Sequence, residues 1–479
     1  MADSLHDTIV AIATPPGEGG VGIVRLSGSR ALEIGRRLVR PADRTTSWPS
    51  HVLVYGHVVD EGSGQRVDEV LAAYMAAPRT YTAEDVFEAH CHGGPVVLRA
   101  VVELALRHGA RLANRGEFTL RAFLNGRLDL SQAEAVLDVV RARTPTALHV
   151  AVDQLGGALS RRLRPLMDEV LGVLAFLEAS IDFVDEGILA TATATLLARL
   201  ECVEGGVRAL LATAHEGIIL REGVRAVLAG APNVGKSSLL NRLLGADRAI
   251  VTPVAGTTRD TVEEPANIRG LPVYLVDTAG LTASAAPVER LGVERSRAAI
   301  GAAGVLLCVV DAGRPLDERD RAALGTARQL APATPAVLVL NKSDLPPALD
   351  RADVLPLFGD RPPVAVVPCS AATGDGFNDL RDAIARAALG PDASGEAAAG
   401  AGRLSAPDTA VVDNARHRRA LEEAVEALEL TRRGLAEEAP LDLVSSDLRA
   451  AATALGQITG QDVGEDLLDR IFGDFCIGK

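Results

Sequence analysis

The sequence predicts a multidomain chain that joins an α+β part, a helical part and an α/β part. Three patterns carry this. Short apolar runs broken by Gly and Pro fill the stretch from Asp7 to about Asn114, as strands of a mostly antiparallel sheet would. From about Asn125 the apolar period becomes helical, and it returns as helical near the C-terminus. Between the two helical stretches, apolar runs each end at a loop carrying Gly, Asp, Asn or Ser, as buried strands of an α/β sheet do. The domains expected are 1–124, 125–221, 222–389 and 390–479, the last made of a linker and a second helical part.

In the first part the strands expected are Thr8 to Ile12, Val21 to Leu26, Val52 to Val59, Val70 to Met75 and Val86 to His90. Helices are expected over Ser29 to Val39 and Pro95 to His108, the latter opened by a proline suited to a first helical turn. In the helical part Leu166, Val170, Val173, Leu177 and Ile181 share one face. Gly390 to Ala406 is rich in Gly, Ala, Ser and Pro and reads as a flexible connection. Beyond it Leu421, Val425, Leu428 and Leu435 line one helical face, and Leu448, Ala451, Leu455 and Ile458 another. The α/β part therefore reads as an insertion in a helical domain built from both flanks; two separate bundles would leave the same pattern.

The chemistry concentrates in the third part. Gly230-Ala231-Pro232-Asn233-Val234-Gly235-Lys236-Ser237 fits G-x-x-x-x-G-K-[ST], between the apolar run Val224 to Leu228 and an expected helix from Ser238 to Leu244. Such glycines let consecutive N–H groups face phosphate oxygens at a helix N-terminus. Lys236 would reach the β- and γ-phosphates, and Ser237 would hold Mg²⁺. Asp277-Thr278-Ala279-Gly280 follows Val273 to Val276 and supplies a carboxylate on the magnesium side. Asn341-Lys342-Ser343-Asp344 follows Ala336 to Leu340; its aspartate can accept hydrogen bonds from guanine N1 and N2, which adenine does not offer. Ser370-Ala371 follows Val364 to Val367, where a backbone N–H meets guanine O6. Four loops in this order mark a guanine-nucleotide site on a Ras-like P-loop domain, with GTP as its ligand.

Composition bounds the rest. A chain of 479 residues holds about three domains, and 48% of it is apolar without a run of about 20 such residues to span a bilayer. Met1-Ala2-Asp3-Ser4 has no basic region before an apolar core, so no secretory signal is expected. Cys91, Cys202, Cys308, Cys369 and Cys476 are scattered, odd in number and lack a C-x-x-C pair, which points to reduced thiols in a cytoplasm. A net charge of −14 confines any RNA contact to a local basic patch or a partner's surface.

Over essentially its full length the chain resembles the MnmE (TrmE) family of tRNA-modification GTPases. The residues that carry the resemblance begin with Asp7-Thr8-Ile9-Val10-Ala11, Thr14-Pro15-Pro16-Gly17, Gly19-Gly20-Val21-Gly22-Ile23 and His92-Gly93-Gly94-Pro95. They continue through Gly116-Glu117-Phe118, Arg121-Ala122-Phe123-Leu124-Asn125, Leu128-Asp129-Leu130, Gln132-Ala133-Glu134-Ala135 and Ile181-Asp182-Phe183. They end at Phe475-Cys476-Ile477-Gly478-Lys479, a terminus that a general GTPase has no need of. The resemblance implies an N-terminal domain like the folate-binding module of aminomethyltransferases, through which the protein forms a homodimer. It also implies an FAD-dependent partner, MnmG, in a heterotetramer or larger complex. Together they add an aminomethyl-type group, such as carboxymethylaminomethyl, at C5 of the wobble uridine of certain tRNAs. 5-Formyltetrahydrofolate or a related reduced folate supplies the one-carbon unit, and GTP hydrolysis drives a conformational change. No membrane is involved.

The same resemblance assigns positions. A potassium ion, in place of an arginine finger, would be held by the side chains of Asn233 and Thr257 and the carbonyls of Thr252 and Val254. Thr258 would complete the Mg²⁺ shell, Val234, Gly235 and Ser238 would line the nucleotide, and Glu289 would orient the attacking water. Read on spacing alone, Glu289 is a solvated helix residue. Arg25, Glu88, Arg127 and Lys479 stand at the folate-contacting positions, with Arg127 where relatives commonly have lysine. Arg25 and Glu88 also read as a plain strand-edge ion pair. Cys476 reads as a nucleophile toward uridine C6, as a redox thiol, or as a small buried residue, the last slightly ahead.

Two further clusters read as bland. His90 and His92 would share one face of a strand, yet no second cluster completes a zinc shell. Arg161-Arg162 with Arg164, and Arg416-His417-Arg418-Arg419, are tRNA-phosphate contacts or solvated helix faces. A GTP-switched RNA-binding or ribosome-assembly factor would share the nucleotide motifs, but should carry a module such as KH with its GXXG loop. A scaffold using GTP only to set dimer geometry is disfavoured by the intact Lys236, Asp277 and Glu289.

Overall fold

Alternation of buried and half-buried positions along β2 (Gly19–Ser27) and β6 (Val86–Gly93) gives the first sheet two covered faces of different character. The computed structural model describes residues 7–43, 47–182, 188–247, 265–278, 297–390, 410–461 and 463–479. Beyond Gly390 itself, the connection expected up to Ala406 lies outside them. The described residues form two compact units, one from 7–137 with Gly456–Lys479 and the other from 138–455.

Among the described residues of the first unit, seven strands run in the order β3-β4-β5-β6-β2-β1-β7. The remaining strands are β1 (Ile9–Ile12), β3 (Val39–Pro41), β4 (Val52–Val59), β5 (Arg66–Met75) and β7 (Arg111–Leu112). Neighbours are antiparallel apart from β1 with β7. The expected sheet is thus present; β3 and β7 are too short to show an alternating pattern. Helices Ala31–Leu38 and Pro95–Arg107 cover one face with Ile34, Leu38, Leu98 and Val101 against Val24, Leu26 and Phe87. The first of these helices comes so close that a Cβ on Gly35 would lie 2.4 Å from the Phe87 ring.

The other face carries Ile9, Ala11, Ala113 and Phe118, with helix Glu117–Leu124. Onto this helix folds the C-terminal helix Glu465–Gly473: the Phe123 and Phe472 rings are 6.5 Å apart, and those of Phe472 and Phe475 are 5.5 Å apart. Under this layer lies Arg121, 0% exposed. Its Nη2 donates to Asp7 Oδ1 at 2.6 Å and Glu117 Oε1 at 3.0 Å, and its Nη1 pairs with Glu84 Oε2 at 3.3 Å. Arg111 binds the same Asp7 and Glu117 at 2.5 and 2.6 Å.

In the second unit six described strands run β13-β12-β11-β8-β10-β9. They are β8 (Val224–Ala229), β9 (Pro265–Ile268), β10 (Leu271–Asp277), β11 (Val305–Asp311), β12 (Ala336–Asn341) and β13 (Ala365–Pro368). All pair in parallel except β9 with β10. Burial on both faces explains why these strands read as continuous apolar runs. Val305, Leu307 and Val309 enter one core with Leu239, Leu243, Leu380 and Ile384; Leu306, Cys308 and Val310 enter the other with Leu324 and Ala327. After β8 the chain builds outward first on the β10 side and then on the β11 side. The order therefore reverses at the C-terminal end of β8, the place where open α/β sheets bind ligands.

Helix Ile188–Leu211 packs against both Ala158–Asp182 and Ala415–Ala436. Val170, Val173, Leu177, Leu421, Val425, Leu428 and Leu435 are buried as the helical period implies. Ile181 differs: near the end of its helix it is 36% exposed. Among the described residues no helix is long and apolar enough to cross a membrane.

The Arg121 cluster generates a test of the first unit. Trp48 is the chain's one tryptophan and packs on Phe87 at 5.1 Å, so its fluorescence reports this unit. Arg121→Met should cost about 3 kcal/mol or more in a urea titration, since it removes the buried cation that Asp7, Glu84 and Glu117 share. Burial alone would raise Glu117, but Arg111, the Asn114 N–H and Arg121 hold it below its ordinary value of 4.5. A carboxylate lowered by folding stabilises fully above its unfolded value and loses that contribution as pH falls through the folded one. Stability read by Trp48 should therefore decline below pH 4.5, and less steeply in Glu117→Gln.

Candidate functional site

At the C-terminal end of β8 the chain curls from Gly230 to Lys236, where helix Lys236–Asp247 begins, two residues earlier than the sequence pattern implied. Asn233 (φ 65°) and Gly235 (φ 96°) take left-handed backbone. At Gly235 only glycine fits, because a Cβ would lie 2.2 Å from Asn341 Nδ2. A curl of this kind followed by a helix start presents unpaired N–H groups and a positive dipole end to an anion.

Lys236 is buried, and its Nζ donates to the carbonyls of Gly230 at 3.0 Å and Ala231 at 2.9 Å. Burial lowers its pKa, with Asp277 pulling the other way. Ser237 Oγ donates to Asp277 Oδ2 at 2.5 Å. Asp277 Oδ1 is buried with no hydrogen-bond partner among the described residues. An orphaned carboxylate oxygen is costly in a dry site. Beside a serine hydroxyl it forms the hard oxygen donor set that suits Mg²⁺, so the residues present fit that ion. Thr278 turns away, its Oγ1 donating to Leu228 O at 2.5 Å.

On the base side, Asn341 is buried; its Nδ2 donates to Val234 O at 2.8 Å and its Oδ1 accepts the Ala371 N–H at 3.1 Å. Of the Ser370-Ala371 pair expected to offer a backbone N–H to guanine O6, the Ala371 N–H is thus engaged by Asn341 in this structure. Ser370 Oγ donates to Asp344 Oδ1 at 2.6 Å. Lys342 (φ 64°) donates from Nζ to Asp311 Oδ2 at 2.7 Å. Asp311 was not singled out from the sequence, although Val305–Asp311 has the same signature of an apolar run closed by a polar residue. Val234, Gly235, Lys236, Ser237, Asp277, Asn341, Lys342, Asp344, Ser370 and Ala371 therefore cluster at one end of the sheet. Ser238 is exposed in the first helical turn. Thr252, Val254, Thr257, Thr258, Ala279, Gly280 and Glu289 lie outside the described residues.

The first unit brings a second set together. Arg25 and Glu88 are direct register partners on β2 and β6, with Nε to Oε1 at 2.6 Å. Both strands are interior to the sheet, which corrects the reading as a strand-edge pair. Glu88 Oε2 also meets His90 Nε2 at 3.2 Å. Burial would raise the Glu88 carboxyl, yet His90 and Arg25 more than offset it, and it stays below the ordinary range. Arg25 lies over the rings of Tyr81 (5.6 Å) and Phe118 (5.8 Å); Arg127 lies over Tyr81 at 5.1 Å and donates to Tyr81 O at 2.7 Å. Tyr81 is anchored by its hydroxyl to Thr119 Oγ1 at 2.8 Å. Tyr81 carries no sequence signal and His90 only one for a metal pair with His92, because the fold alone sets them beside Arg25 and Glu88.

The C-terminal tail ends here as well. Arg115 and Ile477 form a β-bridge, and Gly478 (φ 97°) passes so near β1 that a Cβ would lie 2.2 Å from Ile12 O. Lys479 is half-buried, and its pKa is lowered by burial and by the charge of Arg25, while Cys476 acts to raise it. Cys476 is exposed, which overturns the reading as a buried packing residue. This cluster thus sets Arg25 on Glu88 and on the Tyr81 ring, Arg127 on the same ring, and Lys479 within the field of Arg25. That donor set fits a heteroaromatic ring with an amide-type edge and an anionic tail, as a reduced folate has.

His92 pairs with Asp68 rather than with the Glu88 partner of His90, and no group of three or more potential ligands is found among the described residues. Arg418 and Arg419 pair with Glu422 and Glu423 along their own helix, and His417 is buried.

Comparison with known proteins adds the following. Residues 8–127 match the family described as GTP-binding protein TrmE N-terminus, and residues 130–476 match the MnmE helical domain. A protein of Chloroflexus aurantiacus named tRNA modification GTPase MnmE is 50% identical over 479 residues, covering 99% of this chain and 100% of that one. Proteins of the same name from a Synechococcus species and from Levilactobacillus brevis are 48% and 44% identical, each covering 99% of this chain and 99% and 98% of their own.

Gly235→Ala tests the geometry. The methyl group meets the Asn341 amide in a backbone conformation that L residues avoid, so stability should fall by about 1–3 kcal/mol. Binding of a guanine nucleotide, followed by calorimetry, should be lost with it.

Proposed function

The chain belongs to the MnmE (TrmE) family, and from that premise we propose that it is a GTPase acting in tRNA modification. The observation that carries the proposal is the convergence of Lys236, Ser237, Asp277, Asn341 and Asp344 at one end of a parallel sheet, at its topological switch point. In this reading the six-stranded sheet is a Ras-like P-loop GTPase domain inserted in a helical domain, and the seven-stranded unit is a folate-binding domain.

Hydrolysis transfers the γ-phosphoryl group to water, breaking its bond to the β–γ bridging oxygen and leaving GDP and phosphate. The loop N–H groups and Lys236 would bind the phosphates where negative charge accumulates. Asp344 would accept from guanine N1 and N2, and Asn341 would keep the phosphate loop and the base loop in register. Ser237, Asp277 and Thr258 would hold Mg²⁺, which neutralises phosphate charge when bound. Asn233, Thr252, Val254 and Thr257 would hold a potassium ion, which supplies positive charge in place of an arginine. Glu289 would orient the water and take up its proton.

In the other unit Glu88 would accept from the pterin amide N–H and amino group, while Arg25, Arg127 and Lys479 would meet the anionic part of the folate. The family further suggests a cytoplasmic homodimer working with MnmG and tRNA on C5 of the wobble uridine.

GTP turnover in matched potassium and sodium buffers tests the ion assignment. We expect potassium to raise kcat by about tenfold or more, and Glu289→Ala to remove about 10²-fold with little change in KM. Equal rates in both salts would sink the potassium site and leave the guanine site standing. For the Arg25–Glu88 cluster, Glu88→Gln should weaken 5-formyltetrahydrofolate binding by about tenfold in calorimetry with GTP turnover unchanged.

A further inference from the structure

Arg242 belongs to helix Lys236–Asp247, the element that opens with Lys236 and Ser237. Its guanidinium reaches away from that helix to the loop that follows β13. Nη1 donates to the carbonyls of Ala371 at 3.0 Å and Ala372 at 2.9 Å, and Nη2 donates to that of Thr373 at 2.8 Å. The guanidinium also lies 5.7 Å from the Phe377 ring centre. The loop is shaped around it: Gly374 has φ +97°, and a Cβ there would sit 2.3 Å from Nη2. No role described above uses this side chain.

In a trans peptide the C=O of one residue and the N–H of the next point in opposite directions. Holding the carbonyls of residues 371–373 on one side therefore turns the N–H groups of Ala372, Thr373 and Gly374 to the other. Thr373 N–H donates to Ser370 Oγ at 3.1 Å and Gly374 N–H to Ser370 O at 2.8 Å. Ser370 Oγ in turn donates to Asp344 Oδ1 at 2.6 Å. A continuous set of hydrogen bonds thus runs from the phosphate-side helix, through Arg242, to the carboxylate on the base side.

We propose that Arg242 is a positioning residue for guanine selectivity. It holds the base-side loop from the phosphate-side helix, so that the Asp344 carboxylate, bonded through Ser370 Oγ to that loop, keeps the orientation that reads the base. A lysine has a point charge on a flexible stem and does not match the planar fan of donors aimed at three carbonyls. The inference rests on the guanine-nucleotide reading of this site.

The test measures dissociation constants of the full-length protein for GTP, ITP and ATP with Mg²⁺ present. ITP lacks the 2-amino group that Asp344 would read. Wild-type preference for GTP over both analogues tests the underlying reading, and its absence would overturn that reading and this one together. Given that preference, Arg242→Ala should raise the GTP constant by about tenfold or more and compress the ITP-to-GTP ratio several-fold, with part of both restored in Arg242→Lys. Should GTP and ITP weaken by the same factor, or neither weaken, Arg242 only packs the loop and the proposal fails. Where Arg242→Ala does not unfold cooperatively, Arg242→Gln and Arg242→Lys carry the comparison, with thermal unfolding as the control for folding.

Discussion

A guanidinium cut off from solvent must have its charge answered from within, because an uncompensated buried ion costs several kcal/mol. Arg121 sets that constraint on the first unit. Its carboxylates come from three places: Asp7 ahead of β1, Glu84 in the segment before β6, and Glu117 at the start of a helix. Satisfying them together fixes how the segment around Tyr81 lies over the sheet, since Glu84 and Thr82 are tied there through Ser27. Tyr81 in turn carries Arg25 and Arg127 against its ring. The cationic cluster at Tyr81 therefore depends on how one buried charge is neutralised.

In the second unit the governing fact is topological. A parallel sheet buried on both faces sends its loops to one end, and the reversal of strand order opens a crevice there. Asn341 uses that crevice: one amide group bonds to the phosphate loop and to the base loop, and Gly235 has no side chain because the amide occupies its place. The unanswered Asp277 Oδ1 is the counterpart of this order, a polar atom left without a protein partner where a cation would sit. Satisfied groups hold the frame, and in the proposed function the unsatisfied one would face the ligand.

Much of this was legible in the residues. The apolar runs placed β4 at its bounds and β1 and β2 within two residues, while β5 begins four residues earlier and β6 ends three later than the runs imply. The loops after β8, β10, β12 and β13 were legible as well, since glycine at a positive φ and a polar residue closing an apolar run are local requirements. Features settled by distant neighbours were not. The depth of Cys476 depends on where the tail runs beside β1, and Ile181, one residue from the end of its helix, is 36% exposed. The pairing of Arg25 with Glu88 inside the sheet depends on β2 lying next to β6, 63 positions apart in sequence.

By itself the sequence determined the local features: a glycine curl before a helix, a carboxylate closing an apolar run, an Asn-Lys-Ser-Asp loop and the periods of the elements that hold them. Each of these depends only on residues a few positions apart, whose geometry the backbone imposes. Tertiary structure alone decided which groups answer one another. It set Asn341 between two loops, Arg242 on the carbonyls of residues 371–373, and Tyr81 between two arginines. Those contacts join residues far apart in the chain, and the requirement to satisfy buried polar groups acts on distance in space and not on position in sequence.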